Sequence, residues 1–318
     1  MTVFLSILSI TAPIFALIGL GYVTTRSGMF AKADMRVLGK FVLSLALPAL
    51  IFRAMAQSRV GDVLNPTYIA AYLLGSLAAL ALVHTVARRM LHLGPSASVF
   101  CAMGSSCSNS SFVGYPILLL SLPGVASAAF ALNLVIENIA VIPLLLFMAE
   151  RARGGHPSAA QAVRQALARL AANPLVVALV AGLAVSVVGL TLPAPLVRTV
   201  DMLALASGAV SLLVIGGTLV GLPLRGLAWK VAPLSLCKLG LHPLLVWAAL
   251  ALVVALGLPP LEPQLRTAAI LSAAMPMMGV FPTLAQAHGQ EEWAAVALLL
   301  TTVLSFFALS VWLWALFS

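Results

Sequence analysis

Glu137 is the residue whose position most needs a chemical explanation. It lies in a long apolar stretch between Asn133 and Asn138, deeper than any other acidic residue of the chain. A carboxylate in such a segment is costly and usually functional. Asn133 and Glu137 are four residues apart, so on a helix they share a face. Three roles stay open: Glu137 carries a proton, holds a cation or a polar ligand group, or pairs with Lys238 or a backbone group.

A second polar cluster lies upstream, where serine and asparagine interrupt another apolar stretch. Ser108, Asn109 and Ser110 stand there, followed by Gly114 and Pro116. A proline inside a helix removes a backbone hydrogen bond and clashes with the preceding turn. The backbone groups freed by this break must be satisfied by protein or by a watery cavity. A similar break is predicted near the C-terminus, at Pro276, Met277 and Gly279.

Composition places these residues in a membrane protein. The chain has 318 residues, of which 62% are hydrophobic and 8% charged, whereas soluble domains are about 45–50% apolar and about 25% charged. Spans of about 20 residues leave no room for a further soluble domain, which disfavours ATP-driven pumps and receptors. The sequence has no Gly-x-x-x-x-Gly-Lys phosphate loop and no His-Glu-x-x-His motif. We therefore expect neither an enzyme nor a bound metal or cofactor.

Ten apolar segments are predicted as membrane-spanning helices. Thirteen Lys and Arg residues lie in the odd-numbered connections and four in the others. The positive-inside rule then puts the odd-numbered connections in the cytoplasm and both termini outside. The net charge of +9 is thereby explained without nucleic acid as a partner. The predicted spans are residues 4–24, 37–56, 67–87, 96–120, 126–149, 173–191, 200–221, 231–257, 267–287 and 293–316.

The longest connection, 151–172, separates two sets of five spans, residues 1–150 and 173–318. Because five is odd, the second set enters the membrane from the opposite side, which is the geometry of an inverted repeat. Spans 4 and 9 correspond, and both carry the breaks described above. Interrupted helices at matching positions indicate a binding site, and their half-helix N-termini suit an anion. The alternative is that the prolines only kink the helices and the small residues only pack closely.

Three other features leave alternatives open. The connection 151–172 is either a basic amphipathic helix on the cytoplasmic surface or a plain linker. Lys238, one turn from His242, is expected to snorkel outward or to form a structural ion pair, with contact to an anion as the alternative. Gly216 and Gly217 either allow close helix packing or form a seam along which one part of the protein slides.

Seven different short motifs follow one another along nearly the whole chain, at residues 19–22, 45–52, 108–116, 173–174, 215–219, 274–276 and 301–305. This ordered set resembles the auxin efflux carrier family, which includes plant auxin exporters and bacterial malonate transporters. The resemblance implies an all-α integral membrane protein with ten helices in two inverted five-helix repeats. It also implies that broken helices 4 and 9 cross at the substrate site and that access alternates by a rocking or elevator-like motion. Where the family often has Asn-Thr-Gly, this chain has Asn109-Ser110-Ser111, so the polar lining of the site differs.

The leading functional prediction is a secondary carrier of a small organic anion, such as a malonate-like carboxylate, in a bacterial cytoplasmic membrane. Coupling to H⁺ or Na⁺ is left open, with Glu137 as the coupling residue. An auxin-like weak acid, an amino-acid-derived compound, a passive anion channel and a membrane sensor remain alternatives. Besides the substrate and the bilayer, a second copy of the chain stays open as a partner. The predicted substrate contacts are Pro48, Ser108, Asn109, Ser110, Gly114, Pro116, Asn133, Asn138, Pro276, Met277 and Gly279.

Overall fold

The protein is all helical in the part of the chain that the computed structural model describes, which confirms the predicted class. The described residues are 2–57, 65–154, 164, 167–168, 171–221, 228–286 and 288–317. Within them no β-strand occurs. The helices are α1 (Thr2–Arg26), α2 (Lys32–Gln57), α3 (Pro66–Arg89), α4 (Pro95–Ser106), α5 (Ser110–Ser121), α6 (Ala126–Ala152), α7 (Pro174–Val188), α8 (Ala194–Thr218), α9 (Trp229–Ala255), α10 (Pro263–Ala274), α11 (Phe281–Gln286) and α12 (Glu291–Phe317).

Six of these helices are long and apolar enough to cross a membrane by length and composition: α2, α3, α6, α8, α9 and α12. Helices α5 and α7 are shorter apolar helices. The protein is therefore a multi-pass membrane protein, while ten crossings and two inverted repeats stay predictions. Most of the connection 151–172 lies outside the described residues.

Asparagine followed by proline starts two helices of the two halves in the same way. The Asn65 side chain accepts a hydrogen bond from Tyr68 N at 3.0 Å, and that of Asn173 accepts one from Leu175 N at 3.0 Å. Each asparagine satisfies a backbone N–H that the first helical turn leaves free. The proline that follows each cap has no N–H to satisfy and its backbone already suits a helix.

The helices pack into two groups. Helices α1, α2, α7 and α8 form what we call the panel, in which α1 packs against α8 and α2 packs against both α7 and α8. The other eight helices form the main bundle, where α3 packs against α4 and α9, and α12 packs against α9 and α11. The two groups meet where α1 contacts α5 and α12, where α8 contacts α5, and where α2 and α7 contact α6.

Glycines bring helices close together within each group. A Cβ atom on Gly216 would collide with the Ile18 carbonyl oxygen, so α1 and α8 touch through their backbones. A Cβ atom on Gly182 would likewise lie only 2.7 Å from the Phe52 carbonyl oxygen, so α7 packs closely against α2. Gly217 faces Thr25 and Met35, which also belong to the panel. These glycines therefore allow close helix packing, as one of the two interpretations predicted, while a sliding seam at Gly216 and Gly217 stays a hypothesis.

We expect Gly216→Ala to destabilise the protein strongly. The new methyl group would meet a backbone oxygen that cannot rotate away, and overpacking of this kind costs about 3 kcal/mol. The matched control is Gly208→Ala in the same helix, since no atom lies within 4 Å of its Cβ position. Gly208→Ala should be neutral or stabilising by up to about 1 kcal/mol. Thermal unfolding of the purified variants in detergent measures both, and equal melting temperatures would contradict the packing described here.

Candidate substrate site at the helix crossing

The two interrupted stretches of the main bundle lie against each other. The first interruption separates α4 from α5, and the second separates α10 from α11. Ser108 and Met277 form an antiparallel β-bridge, and Asn109 N donates to the Pro276 carbonyl oxygen at 2.8 Å. Backbone groups that the broken helices leave free thus satisfy each other inside the protein, as they must where water is absent.

Asn109 determines where the first interruption ends. Its Oδ1 accepts a hydrogen bond from Phe112 N at 3.2 Å, and its carbonyl oxygen accepts one from Gly114 N at 2.8 Å. An asparagine that caps in this way competes with continuous helix. The bond from Phe112 also fixes the side-chain orientation, so that Nδ2 points away from the cap.

The Asn109 amide group is a buried donor without a partner. Its Nδ2 makes no hydrogen bond to any of the described residues, although Asn109 is only 3% exposed. A Cβ atom on Gly279 would lie 3.7 Å from this nitrogen, so the donor faces the second interruption. Asn133 likewise has a buried Nδ2 without a partner, while its Oδ1 accepts from Tyr68 OH at 3.0 Å. Because unpaired buried donors are costly, two of them near a crossing suggest a place for an acceptor ligand.

Glu137 is buried and bound to the first interruption. Its Oε1 accepts from Ser108 N at 3.1 Å and from Tyr72 OH at 3.4 Å, and Ser110 Oγ lies 3.4 Å from both of its oxygens. The carboxylate therefore has partners on α3 and on both sides of Asn109. The structure shows the backbone partner that the sequence left open as one role of Glu137, and it leaves room for the others.

Lys238 lies on the opposite side of Ser108. Its Nζ donates to Ser108 Oγ at 2.9 Å, to the Ala273 carbonyl oxygen at 2.6 Å, and contacts His242 Nδ1 at 3.1 Å. The other ring nitrogen, His242 Nε2, lies 3.0 Å from Ser76 Oγ. Because an ammonium group can only donate hydrogen bonds, His242 Nδ1 accepts from Lys238 and His242 Nε2 donates to Ser76 Oγ. Lys238 is 0% exposed, so the expectation that it snorkels outward is wrong.

Comparison with known proteins indicates a membrane transporter. A family model described as "Membrane transport protein" matches residues 6–313. The chain belongs to this family, the auxin efflux carriers. A protein of Rhizobium meliloti (strain 1021) named "Putative malonate transporter" is 28% identical to this chain over 300 residues, which cover 94% of this chain and 92% of that protein. These names describe transporters rather than enzymes.

Most of the residues predicted for the site of this transport protein lie at the crossing. Ser108 and Met277 bridge the two interruptions, and Asn109 binds Pro276. Ser110 and Asn133 belong to the polar contacts described above, Gly279 faces the free amide of Asn109, and Gly114 and Pro116 are buried in α5. Their role in binding substrate stays a prediction.

Two predicted residues lie elsewhere. Asn138 Nδ2 donates to the Leu134 carbonyl oxygen at 2.9 Å, and its Oδ1 accepts from Asn173 at 3.5 Å. It therefore connects α6 to the start of α7. Pro48 is half-buried in α2, a helix of the panel. Neither side chain makes a polar contact with the crossing among the described residues.

Four side chains of the site were missed or misjudged from the sequence, although a signal for one of them, Lys238, was present. Tyr68, Tyr72, Lys238 and His242 were not predicted as site residues, because tyrosine and histidine in apolar helices are common. Four widened π-turns each end two residues before a proline, at Pro48, Pro116, Pro143 and Pro243. A proline ring clashes with the turn before it and lacks an N–H to donate, so it favours a widened turn there. Such π-turns are frequent at functional sites. Glu137 and Lys238 lie in two of these turns.

Proposed function

We propose that this transport protein is a secondary carrier of a small carboxylate such as malonate. The observation that carries the proposal is the buried amide of Asn109, which lacks a partner and faces the second interruption at the crossing. An amide N–H₂ group offers two hydrogens to a carboxylate oxygen. The name of the Rhizobium meliloti relative supports a dicarboxylate.

Alternating access is the mechanism we propose for this carrier. The main bundle holds all polar groups of the crossing, whereas the panel is joined by the backbone contacts of its glycines. Helices pack more extensively within each group than between the two groups. Two groups joined in this way are suited to move as rigid bodies against each other. The substrate bound at the crossing would travel with the main bundle.

Ten membrane crossings in two inverted repeats are part of the proposal. Under the predicted correspondence, α1 matches α7 and α2 matches α8. The packing of α1 on α8 and of α7 on α2 is then the same contact seen from each half. This reciprocity supports a repeat. The distribution of Lys and Arg supports a cytoplasmic membrane location with both termini outside.

Glu137 is proposed as the residue that couples transport to protons. The groups that face it are Tyr72 from α3, Cys107 and the serines of the interruption, and Lys238 from α9. The Glu137 carboxylate accepts a hydrogen bond from the backbone of the interruption that holds the substrate. Protonation of Glu137 would therefore weaken this hydrogen bond and change the charge at the crossing.

Counterflow in proteoliposomes tests the carrier. Liposomes loaded with unlabelled malonate should take up labelled malonate transiently above equilibrium, with saturation, while empty liposomes should not. A carrier shows counterflow because the same site returns loaded. Unitary conductance without saturation would instead indicate a channel. If neither malonate nor other small carboxylates stabilise the purified protein against heat or move across the membrane, the anion proposal is wrong.

A further inference from the structure

The Lys238 ammonium has no hydrogen left for a ligand. An ammonium carries three hydrogens, and three acceptors surround Nζ at 2.6–3.1 Å: the Ala273 carbonyl oxygen, Ser108 Oγ and His242 Nδ1. The side chain is 0% exposed. Among the described residues, side-chain donors near the crossing that lack a hydrogen-bond partner include the amides of Asn109 and Asn133 and the hydroxyl of Ser272. Lys238 therefore serves something other than direct contact with the substrate.

The position of the ammonium is one that suits a free cation. Ala273 is the residue before the last of α10, so its carbonyl belongs to the negative end of the dipole of an interrupted helix. Carbonyls at such half-helix ends coordinate Na⁺ in carriers built from broken helices. Ser108 adds a hydroxyl oxygen on one side and, through its backbone N–H, holds the carboxylate of Glu137 on the other. Carbonyl and hydroxyl oxygens are ligands that hard cations prefer, and the carboxylate of Glu137 acts on the ammonium through its charge rather than by direct contact.

We propose that Lys238 is a tethered cation that occupies a sodium-type site at the crossing, so that this protein needs no Na⁺. A covalently attached ammonium is always available to balance the charge of the ionised Glu137, whereas a free ion has to bind and leave. Shortening the side chain to its Cβ would expose the same oxygens to the solution ion. The variant Lys238→Ala should then bind Na⁺ and depend on it.

Thermal unfolding of the purified protein tests this without any transport substrate. Wild type should melt at the same temperature in sodium chloride and in choline chloride of equal concentration. Lys238→Ala should melt at least about 3 °C higher in sodium chloride, because an ion that binds only the folded state stabilises it. The matched control is Lys238→Met, whose apolar chain fills the same space and should not respond to Na⁺. Adding Glu137→Gln to Lys238→Ala should remove the response, since the carboxylate charge is lost.

Several results would overturn the inference. These are a Na⁺-dependent melting temperature in wild type, a folded Lys238→Ala that does not distinguish Na⁺ from choline, and a Lys238→Ala that cannot be recovered in either salt. A second arm rests on the proposed carrier function: malonate counterflow should be independent of Na⁺ in wild type and should require it in Lys238→Ala. If malonate does not move at all, the carrier proposal fails, while the melting experiment still decides the role of Lys238.

Discussion

Asn109→Asp should leave the protein folded and remove its affinity for carboxylates. Asp caps a helix as well as Asn does, so the bond from Phe112 N would be kept. The free amide donor is replaced by a negative charge that repels the substrate. The neutral variant Asn109→Ser keeps a capping oxygen and only loses the donor. Because a hydrogen bond to a charged group contributes about 1.5–3 kcal/mol, Asn109→Ser should weaken malonate binding about ten- to hundredfold, and Asn109→Asp should weaken it more.

Ligand-dependent thermal shift and counterflow measure these losses. The matched control is Asn173→Ser, which makes the same change at a helix cap outside the crossing and should leave malonate affinity unchanged. Equal affinity of wild type and Asn109→Ser would show that the unpartnered amide does not bind the substrate. Loss of affinity in Asn173→Ser as well would show that capping, rather than the donor, is being measured.

Glu137→Gln should separate exchange from accumulation. The amide is nearly isosteric, so Ser108 N keeps an acceptor, but the side chain can no longer take up or release a proton. Malonate counterflow should persist, whereas accumulation driven by a pH gradient should disappear. The buried Lys238 loses its opposite charge at the same time. The two groups influence each other through their charges without direct contact, and a buried charge left uncompensated is destabilising, so the melting temperature should fall as well.

A double variant distinguishes the charge effect from general damage. Glu137→Gln combined with Lys238→Met removes both buried charges and should be more stable than the sum of the two single changes predicts. The exposed Glu262→Gln is the control for loss of one carboxylate and should stay within about 0.5 kcal/mol of wild type. Accumulation in Glu137→Gln that still follows the pH gradient would remove Glu137 from the coupling mechanism.

Local signals allowed part of the site to be predicted from the sequence. Asn109, Pro276 and Glu137 stood out because polar residues and prolines are rare in apolar stretches, and all three lie at the crossing. The exact position of the first interruption was harder to predict. Pro116 was read as the break, yet the helix ends ten residues earlier, at Ser106, and resumes at Asn109 as a cap. The proline acts instead by widening the turn that precedes it.

The sequence could not predict the partners of these residues. Asn138 and Asn133 both flank Glu137 in the sequence, but one points toward α7 and the other toward Tyr68. Helical periodicity already separates the two asparagines, because residues five apart lie about 140° apart around an α-helix. It does not say which segments lie on either side, and those partners belong to helices far away in the sequence.

The amino-acid sequence alone was enough to recognise an all-helical membrane protein of the auxin efflux carrier family with polar breaks in two helices. Composition predicts the helices, because burial in lipid requires an apolar segment to satisfy its backbone hydrogen bonds internally, and the ordered motifs indicate the family. The burial of Lys238 beside Ser108, rather than at the surface, is visible only in the folded protein. The two residues are 130 positions apart, and a side chain that can snorkel from an isolated helix is held inside when acceptors from two other segments surround its charge.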